Sequence, residues 1–176
     1  MLNLFVNPHS RSLDAKGRLQ LPTDYRDALQ ANAGEGVACI WLTAYYGHLT
    51  AYLPTQWAEV TEHLNRIPFS SIKLSHFKTK VLGLAQQVEP DAQGRIRIPQ
   101  PLMREAGLSR DVMLVGMGDK FEIWDQQRFD ALQVEDVSAE LESSGLVIPL
   151  SFGRDGGETG SYSSASGRDH RGSRPA

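Results

Sequence analysis

The sequence predicts a mainly β domain with short helices (α+β) made of two homologous halves, and three observations lead to this prediction. Hydrophobic residues make up 40% of the 176-residue chain, enough to bury a core. A motif occurs twice, as Asp-Ala-Lys-Gly-Arg-Leu-Gln-Leu-Pro over residues 14–22 and as Asp-Ala-Gln-Gly-Arg-Ile-Arg-Ile-Pro over residues 91–99. The same series of predicted elements follows each copy, so we interpret the chain as an internal duplication.

Each copy of the motif is followed by a helix, two strands and an aromatic residue, in that order. The helices contain an Arg-acid-Ala core, and the two strands flank a glycine-containing turn. The matched segments are residues 26–28 and 104–106 in the helices, 37–43 and 112–117 in the first strands, 48–53 and 120–125 in the second strands, and Trp57 and Phe129 at the end.

A linking helix is predicted between the halves, over residues 70–85. Its apolar residues recur at helical spacing and would form one stripe of Leu74, Phe77, Val81 and Leu84. After residue 150 the chain becomes rich in glycine and serine, which is typical of a disordered tail. The predicted domains are therefore a first repeat (1–66), the linking helix (67–86), a second repeat (87–150) and the tail (151–176).

The repeated motif is predicted to form a tight turn that leads into a strand. Asp14 and Asp91 are suited to accept backbone N–H groups in the turn, and Gly17 and Gly94 permit the positive φ that closes it. Alternation in the strand then separates an inward set from an outward set. The inward set is Leu19, Leu21, Ile96 and Ile98, and the outward set is Arg18, Gln20, Arg95 and Arg97.

The Asp and Arg of each motif allow two interpretations. The pair could simply hold the turn together. Alternatively, the Asp is structural and the fork-shaped guanidinium binds phosphate or guanine. Two copies of the pair favour the second interpretation.

The composition excludes several classes of protein. The formal net charge of −3 argues against a uniformly basic nucleic-acid coat but allows a local basic face. The single cysteine, Cys39, suits a reducing compartment, and the N-terminus lacks the pattern of a signal peptide. We therefore expect a cytoplasmic protein without a membrane segment.

No pattern predicts catalysis, a metal site or a cofactor. The five histidines lack a His-Glu-x-x-His arrangement, and Cys39 lies in an apolar run where we expect a buried, inert thiol. Gly116-Met-Gly118 lacks the third glycine of a dinucleotide fingerprint and is interpreted as a hairpin turn. Six aromatic residues are expected in the core or in subunit contacts: Trp41, Tyr45, Tyr46, Tyr52, Trp57 and Trp124. We expect neither an enzyme nor a small-molecule substrate.

The charges are unevenly distributed along the chain. Residues 66–80 carry four basic side chains and no acidic one, whereas residues 119–142 carry eight acidic side chains against two basic ones. This polarity suits a subunit contact as well as it suits nucleic-acid binding.

The paired Asp-x-x-x-Arg motifs resemble the signature of the bacterial MraZ family, and Phe121-Glu-Ile-Trp124 is similar to another of its hallmarks. The resemblance covers residues 5–132. It implies two SpoVT-AbrB-like swapped-hairpin β halves in a pseudo-twofold duplication, assembled into a ring-shaped homo-oligomer. It also implies a transcriptional regulator, generally a repressor, that binds repeated boxes in the promoter of the division and cell-wall gene cluster and associates with the nucleoid.

The resemblance places Arg18 and Arg95 at double-stranded DNA and makes Asp14 and Asp91 the signature acids. With Lys16 in the first turn and the outward Arg97, the expected DNA-binding residues are Lys16, Arg18, Arg95 and Arg97, supported by Asp14, Gly17, Asp91 and Gly94. Gln93 stands where the first motif has Lys16, so we expect the first half to dominate affinity.

The competing hypothesis is an antitoxin-like or other protein-binding module on the same fold, without specific DNA binding, acting through its acidic residues 119–142. The placement of the arginines separates the two hypotheses. Exposure of Arg18 and Arg95 on one face favours DNA, and burial of both favours a protein partner.

Overall fold

The structure, a computed structural model, describes residues 4–68 and 71–145 of the chain. Its strands are β1 (Pro8–Ser12), β2 (Arg18–Gln20), β3 (Ile40–Tyr45), β4 (His48–Tyr52), β5 (Gln86–Val88), β6 (Arg95–Arg97), β7 (Asp111–Gly116) and β8 (Lys120–Asp125). Its helices are α1 (Thr23–Ala33), α2 (Pro54–Arg66), α3 (Ile72–Gly83), α4 (Gln100–Ala106), α5 (Gln126–Asp130) and α6 (Ser138–Ser143). Every strand pair is antiparallel, and the predicted mainly β fold with short helices is confirmed.

Strands of the two predicted halves share both sheets. One sheet has six strands in the order β1-β7-β8-β4-β3-β5, and the other is a two-stranded ribbon of β2 and β6. In the large sheet, strands of the two halves pair at three places: β1 with β7, β8 with β4, and β3 with β5. In the ribbon, each half contributes one strand, so the two copies of the motif lie side by side.

The ribbon is paired symmetrically. Leu19 lies opposite Ile96, which occupies the same position in the second motif, and Arg18 and Gln20 lie opposite Arg97 and Arg95. Backbone hydrogen bonds repeat the symmetry at both ends, because the N–H of Leu21 donates to the carbonyl of Gly94 (3.1 Å) and that of Ile98 to the carbonyl of Gly17 (2.9 Å). A duplicated chain with a pseudo-twofold axis would have this register.

The main core lies between the inner face of the large sheet and the ribbon with its two following helices. Leu19 and Ile96 are fully buried there, and Leu21 and Ile98 are 1% exposed, as the alternation predicts. The rings of Tyr25 from α1 and Phe121 from β8 pack with centroids 5.0 Å apart. Because one side of the ribbon is buried in this core, the arginines of β2 and β6 lie on the opposite side.

A second apolar cluster joins α2 and α3 to the opposite face of the large sheet. Trp41 of β3 stacks on Trp57 of α2 with ring centroids 5.6 Å apart. Thr43 donates its hydroxyl hydrogen to the carbonyl of Val81 at 2.6 Å, which ties α3 to β3. The linking helix thus exists as α3, and it packs through Val81 with partly buried Phe77 as its stripe predicts.

Some sequence expectations are wrong in detail. The strand predicted to start at residue 37 starts at Ile40, because the chain is still leaving the turn after α1, where Val37 is 71% exposed. Cys39 precedes that strand and is half-buried instead of buried. Of the two positions expected for Tyr46, the core is excluded, because it lies in the turn between β3 and β4 and is 80% exposed, and a subunit contact stays a prediction.

The chain divides after Gln133 into two compact units. The described part of the second unit, residues 134–145, contains α6, and the predicted tail (151–176) lies outside the described residues. No helix in the described ranges is long and apolar enough to cross a membrane.

Candidate nucleic-acid interface

The first copy of the motif forms a closed turn around the Asp14 carboxylate. Its Oδ1 accepts the backbone N–H groups of Lys16 and Arg18, both at 2.9 Å, and the backbone N–H of Gly17 donates to the Asp14 carbonyl. Gly17 has a φ of +72°, which glycine adopts without strain. These bonds, led by the backbone N–H of Arg18, lower the pKa of Asp14 to about 2. The carboxylate is therefore ionised and serves as the anchor of the turn.

The second copy repeats this geometry. Asp91 accepts the backbone N–H groups of Gln93 and Arg95 at 2.9 Å, and Gly94 has a φ of +74°. The backbone N–H of Arg95 is again the main cause that lowers the pKa of the aspartate. Asp91 and Gly94 thus have the same turn geometry as Asp14 and Gly17.

Both signature arginines bond to the aspartate of their own motif. Nε of Arg18 donates to Oδ2 of Asp14 at 2.6 Å, and Nε of Arg95 donates to Oδ2 of Asp91 at 2.9 Å. The side chains of Arg18 and Arg95 nevertheless remain 32% and 29% exposed. The Asp therefore orients a guanidinium that stays accessible, and binding of a ligand by that guanidinium stays a prediction.

The two guanidinium groups differ in the donors that they leave available. Nη2 of Arg95 lies 2.8 Å from Asp91 Oδ2 and donates to Oε1 of Gln93 at 3.0 Å. For Arg18, no hydrogen bond from either terminal nitrogen is found within residues 4–68 and 71–145. Lys16 occupies the position of Gln93 in the first turn, and its ammonium group cannot accept a hydrogen bond from the arginine. The first turn therefore leaves more guanidinium N–H donors available for a ligand.

The ribbon collects the arginines on one face. Residues opposite each other in an antiparallel pair point to the same side, so Arg18, Gln20, Arg95 and Arg97 share the side away from the buried Leu19 and Ile96. We call this set of four residues the arginine face. Arg97 is exposed, and its side chain makes no hydrogen bond or ion pair within the described part of the chain. Lys16 is exposed in the adjoining turn.

Gln20 connects the arginine face to the second turn. Its Nε2 donates to the carbonyls of Gln93 (2.9 Å) and Gly94 (3.3 Å). The equivalent position on β6 is Arg97, which makes no such bond. Alternation along β2 predicts the outward position of Gln20 but not this contact, because the contact depends on which strand lies next to β2.

Arg26 is a further cation beside the second turn, and sequence reasoning missed it. If Gly94 carried a side chain, its Cβ would lie 2.4 Å from Cδ of Arg26. Nη2 of Arg26 donates to Thr23 at 3.0 Å, and its buried Nε has no hydrogen-bond partner within the described residues. The matching neighbour of Gly17 in the first turn is Met103, whose Sδ would lie 3.3 Å from such a Cβ. The sequence indicates that these two neighbours are equivalent, because Arg26 and Met103 follow the glycines of their own motifs at the same spacing.

A pocket beside α1 and the start of α2 offers little for catalysis. It has a volume of about 330 Å³, and Cys39 is the one residue in its lining with a titratable side chain. The lining residues are Leu29, Asn32, Ala33, Val37, Cys39, Leu53, Pro54 and Thr55. In the described ranges, no group of three or more His, Cys, Asp and Glu side chains could hold a metal ion.

The chain is similar to a known protein family over most of its length. A family model described as "MraZ protein, putative antitoxin-like" matches residues 4–79 and 81–144. A protein of Nitratidesulfovibrio vulgaris strain Hildenborough is 42% identical over 146 residues, which cover 81% of this chain and 97% of the relative. A protein of Maridesulfovibrio salexigens is 40% identical over 143 residues, covering 80% and 95%. One of Acidovorax sp. strain JS42 is 38% identical over 139 residues, covering 78% and 94%. Each of the three is named a transcriptional regulator MraZ.

Proposed function

The chain belongs to the MraZ family, and on that premise we propose that it is a transcriptional regulator that binds double-stranded promoter DNA through the arginine face and the adjoining turns. The relatives' name supports the regulatory role. The observation that carries the DNA-binding part is the position of Arg18, Arg95 and Arg97 on one accessible side of the ribbon, with the other side fully buried.

A two-stranded ribbon has a suitable shape for this task. The major groove of B-DNA admits a β-ribbon, and an arginine there can donate two hydrogen bonds to O6 and N7 of guanine. Arg18 has both terminal nitrogens available for such a pair. Lys16 and the second-turn cation Arg26 suit phosphate contacts, which position the protein without reading sequence.

The local charge suits a polyanion although the whole chain is acidic. The four proposed DNA-binding side chains are opposed by Asp14 and Asp91 alone within the two motifs, while the chain carries a net charge of −3. Binding through a few cations releases few counterions, so one copy alone should bind weakly and with a clear salt dependence.

Assembly into a ring would strengthen this weak binding. In a ring-shaped homo-oligomer, several copies would each present an arginine face to successive boxes of the promoter of the division and cell-wall gene cluster. Weak single contacts then add through effective concentration, and affinity rises steeply with the number of boxes. Repression follows if the bound ring occupies the promoter.

The second candidate function is protein binding, in line with the words "putative antitoxin-like" in the description of the family model. Residues 134–145 favour it, because they carry four carboxylates and no cation and are almost entirely exposed. The accessibility of Arg18 and Arg95 supports DNA as the first candidate.

A gel-shift titration tests the proposal, with DNA from upstream of the protein's own gene and the Arg18→Ala variant. Removing a base-specific hydrogen-bond pair weakens the binding free energy by about 1–3 kcal/mol per copy. Summed over the copies of a ring, this loss should abolish the gel shift. Arg66→Ala is the matched control, because Arg66 also pairs with an acid four residues earlier, Glu62, but on α2. No shift by wild type at low salt would reject DNA binding and favour the protein-binding candidate.

A further inference from the structure

Tyr46 occupies a backbone conformation that does not suit it. At the tip of the β3–β4 hairpin its φ is +51°, and the following Gly47 has a φ of +80°. Among the described residues, Asn7 is the other non-glycine with a positive φ, and asparagine tolerates this region far better than tyrosine does. The Tyr46 side chain also gains little burial, because it is 80% exposed. A strained, exposed aromatic residue at a hairpin tip indicates that its side chain serves a contact outside the monomer.

Tyr46 and three residues of α3 define a surface. Its ring lies 6.4 Å from that of Phe77 on α3. Lys73 and Lys80 precede and follow Phe77 by four and three residues, so they flank it on the same side of the helix. We call Tyr46, Lys73, Phe77 and Lys80 the aromatic–cationic surface. Lys80 pairs with Glu105 at 2.5 Å, and Lys73 is exposed without an ion pair to any described residue.

The occupant of this surface must supply both carboxylates and apolar groups. Duplex DNA supplies negative charge but keeps its bases stacked inside, so an exposed tyrosine gains little from it. Residues 134–145 of the chain itself have the complementary chemistry. They contain Glu135, Asp136, Glu140 and Glu142 and no Lys or Arg. Val134 and Val137 are 82% and 38% exposed.

We propose that the aromatic–cationic surface of one copy binds the acidic segment 134–145 of a second copy. The inference deepens the proposed function and rests on its homo-oligomer, for which it names the contact. The valines would cover Tyr46 and Phe77, and the carboxylates would face Lys73 and Lys80. Surface and segment are different parts of the chain, so each copy can give its segment to the next copy instead of exchanging segments with one partner. The contact is then heterologous, and repeated heterologous contacts close into a ring when the rotation permits it.

The Tyr46→Asn variant tests the surface without damaging the hairpin. Asparagine suits a positive φ, so the melting temperature should stay the same or rise. The mass measured by light scattering should fall toward the 19.5 kDa of a single chain. Met117→Asn is the matched control, since Met117 is a 49% exposed apolar residue beside the tip of the β7–β8 hairpin, and its oligomer should be unaffected. A monomeric wild type, or a Tyr46→Asn variant of unchanged mass, would overturn the proposal.

Charge reversal identifies the occupant. Lys73→Glu and Glu140→Lys should each reduce the oligomer mass, and mixing the two variants should restore it, because each reversed surface then meets a reversed segment. Mixing that fails to restore the mass would overturn the assignment to a second copy.

DNA binding is measured separately, on a single box at low salt. Tyr46→Asn should bind that box like wild type. Weaker binding to one box with an unchanged mass would show that the surface contacts nucleic acid and would overturn the proposal. Loss of the oligomer together with normal arginine-dependent DNA binding supports it, so this inference and the proposed function can fail independently.

Discussion

The two motif turns have the same backbone conformation, but they differ in the hydrogen-bond donors that they leave available for a ligand. In the first turn the aspartate binds Nε of Arg18 and two backbone N–H groups, and the terminal guanidinium nitrogens and the Lys16 ammonium stay available. In the second turn Gln93 accepts from Nη2 of Arg95, and Arg26 lies against Gly94. Under the proposed function, two turns of the same geometry would therefore have different tasks: the first would read bases, and the second would hold the ribbon and contact phosphates.

The largest expected effect separates the two signature arginines. Arg18→Ala should weaken operator binding by about 1–3 kcal/mol per copy for each base that the arginine reads, and Arg95→Ala should weaken it less, because fewer of its donors are available. Titration of both variants on a single box, with Arg66→Ala as the control, measures the difference. Equal effects of Arg18→Ala and Arg95→Ala would show that the number of available donors does not determine the ranking.

An exchange of Lys16 and Gln93 tests whether these two residues cause the difference between the first and the second turn. Lys16→Gln should weaken binding across all sequences and reduce the salt slope by about one, as expected when one phosphate-binding cation is removed. Gln93→Lys should strengthen binding, because it adds a cation and removes one of the two acceptors of Nη2 of Arg95. The double exchange should make Arg95→Ala more damaging than Arg18→Ala in the salt-dependent gel-shift titration. An unchanged ranking would contradict the role given to residues 16 and 93.

The smallest effect concerns pH and the turn aspartates. The pKa of Asp14 in the folded protein, about 2, lies below its ordinary value of 3.8, so ionised Asp14 favours the folded state. This contribution is complete above the ordinary value and is lost as the pH falls through the folded value. Melting temperatures measured from pH 5 down to pH 2 should decline less steeply for Asp14→Asn than for wild type. Parallel curves would show that Asp14 does not couple protonation to folding.

Much of the ribbon could be predicted from the sequence. The Asp-x-x-Gly-Arg pattern gives the turn because aspartate accepts backbone N–H groups and glycine permits the positive φ. Alternation predicts that Leu19 and Ile96 are buried, which the structure confirms. These predictions succeed because they depend on local chemistry and on the two-residue period of a strand.

The contacts that depend on long-range pairing were not predictable. Alternation fixes which side of a strand is inward, but not that β2 pairs with β6 and thereby brings Gln20 to the second turn. The approach of Arg26 to Gly94 has the same origin, because it joins α1 to a turn of the other motif. For Tyr46 the sequence left a core position and a subunit contact open, and the structure excludes the core because the hairpin turn takes the residue out of the sheet.

The most direct test of the central claim uses Arg97, which lies on the arginine face and supports no turn. Arg97→Gln should leave the melting temperature and the oligomer mass unchanged, because the side chain is exposed and has no partner among the described residues. Its affinity for DNA from upstream of the protein's own gene should fall by roughly tenfold or more per box. That result would establish the arginine face as the DNA-binding surface. Normal DNA affinity in a folded Arg97→Gln oligomer would contradict it.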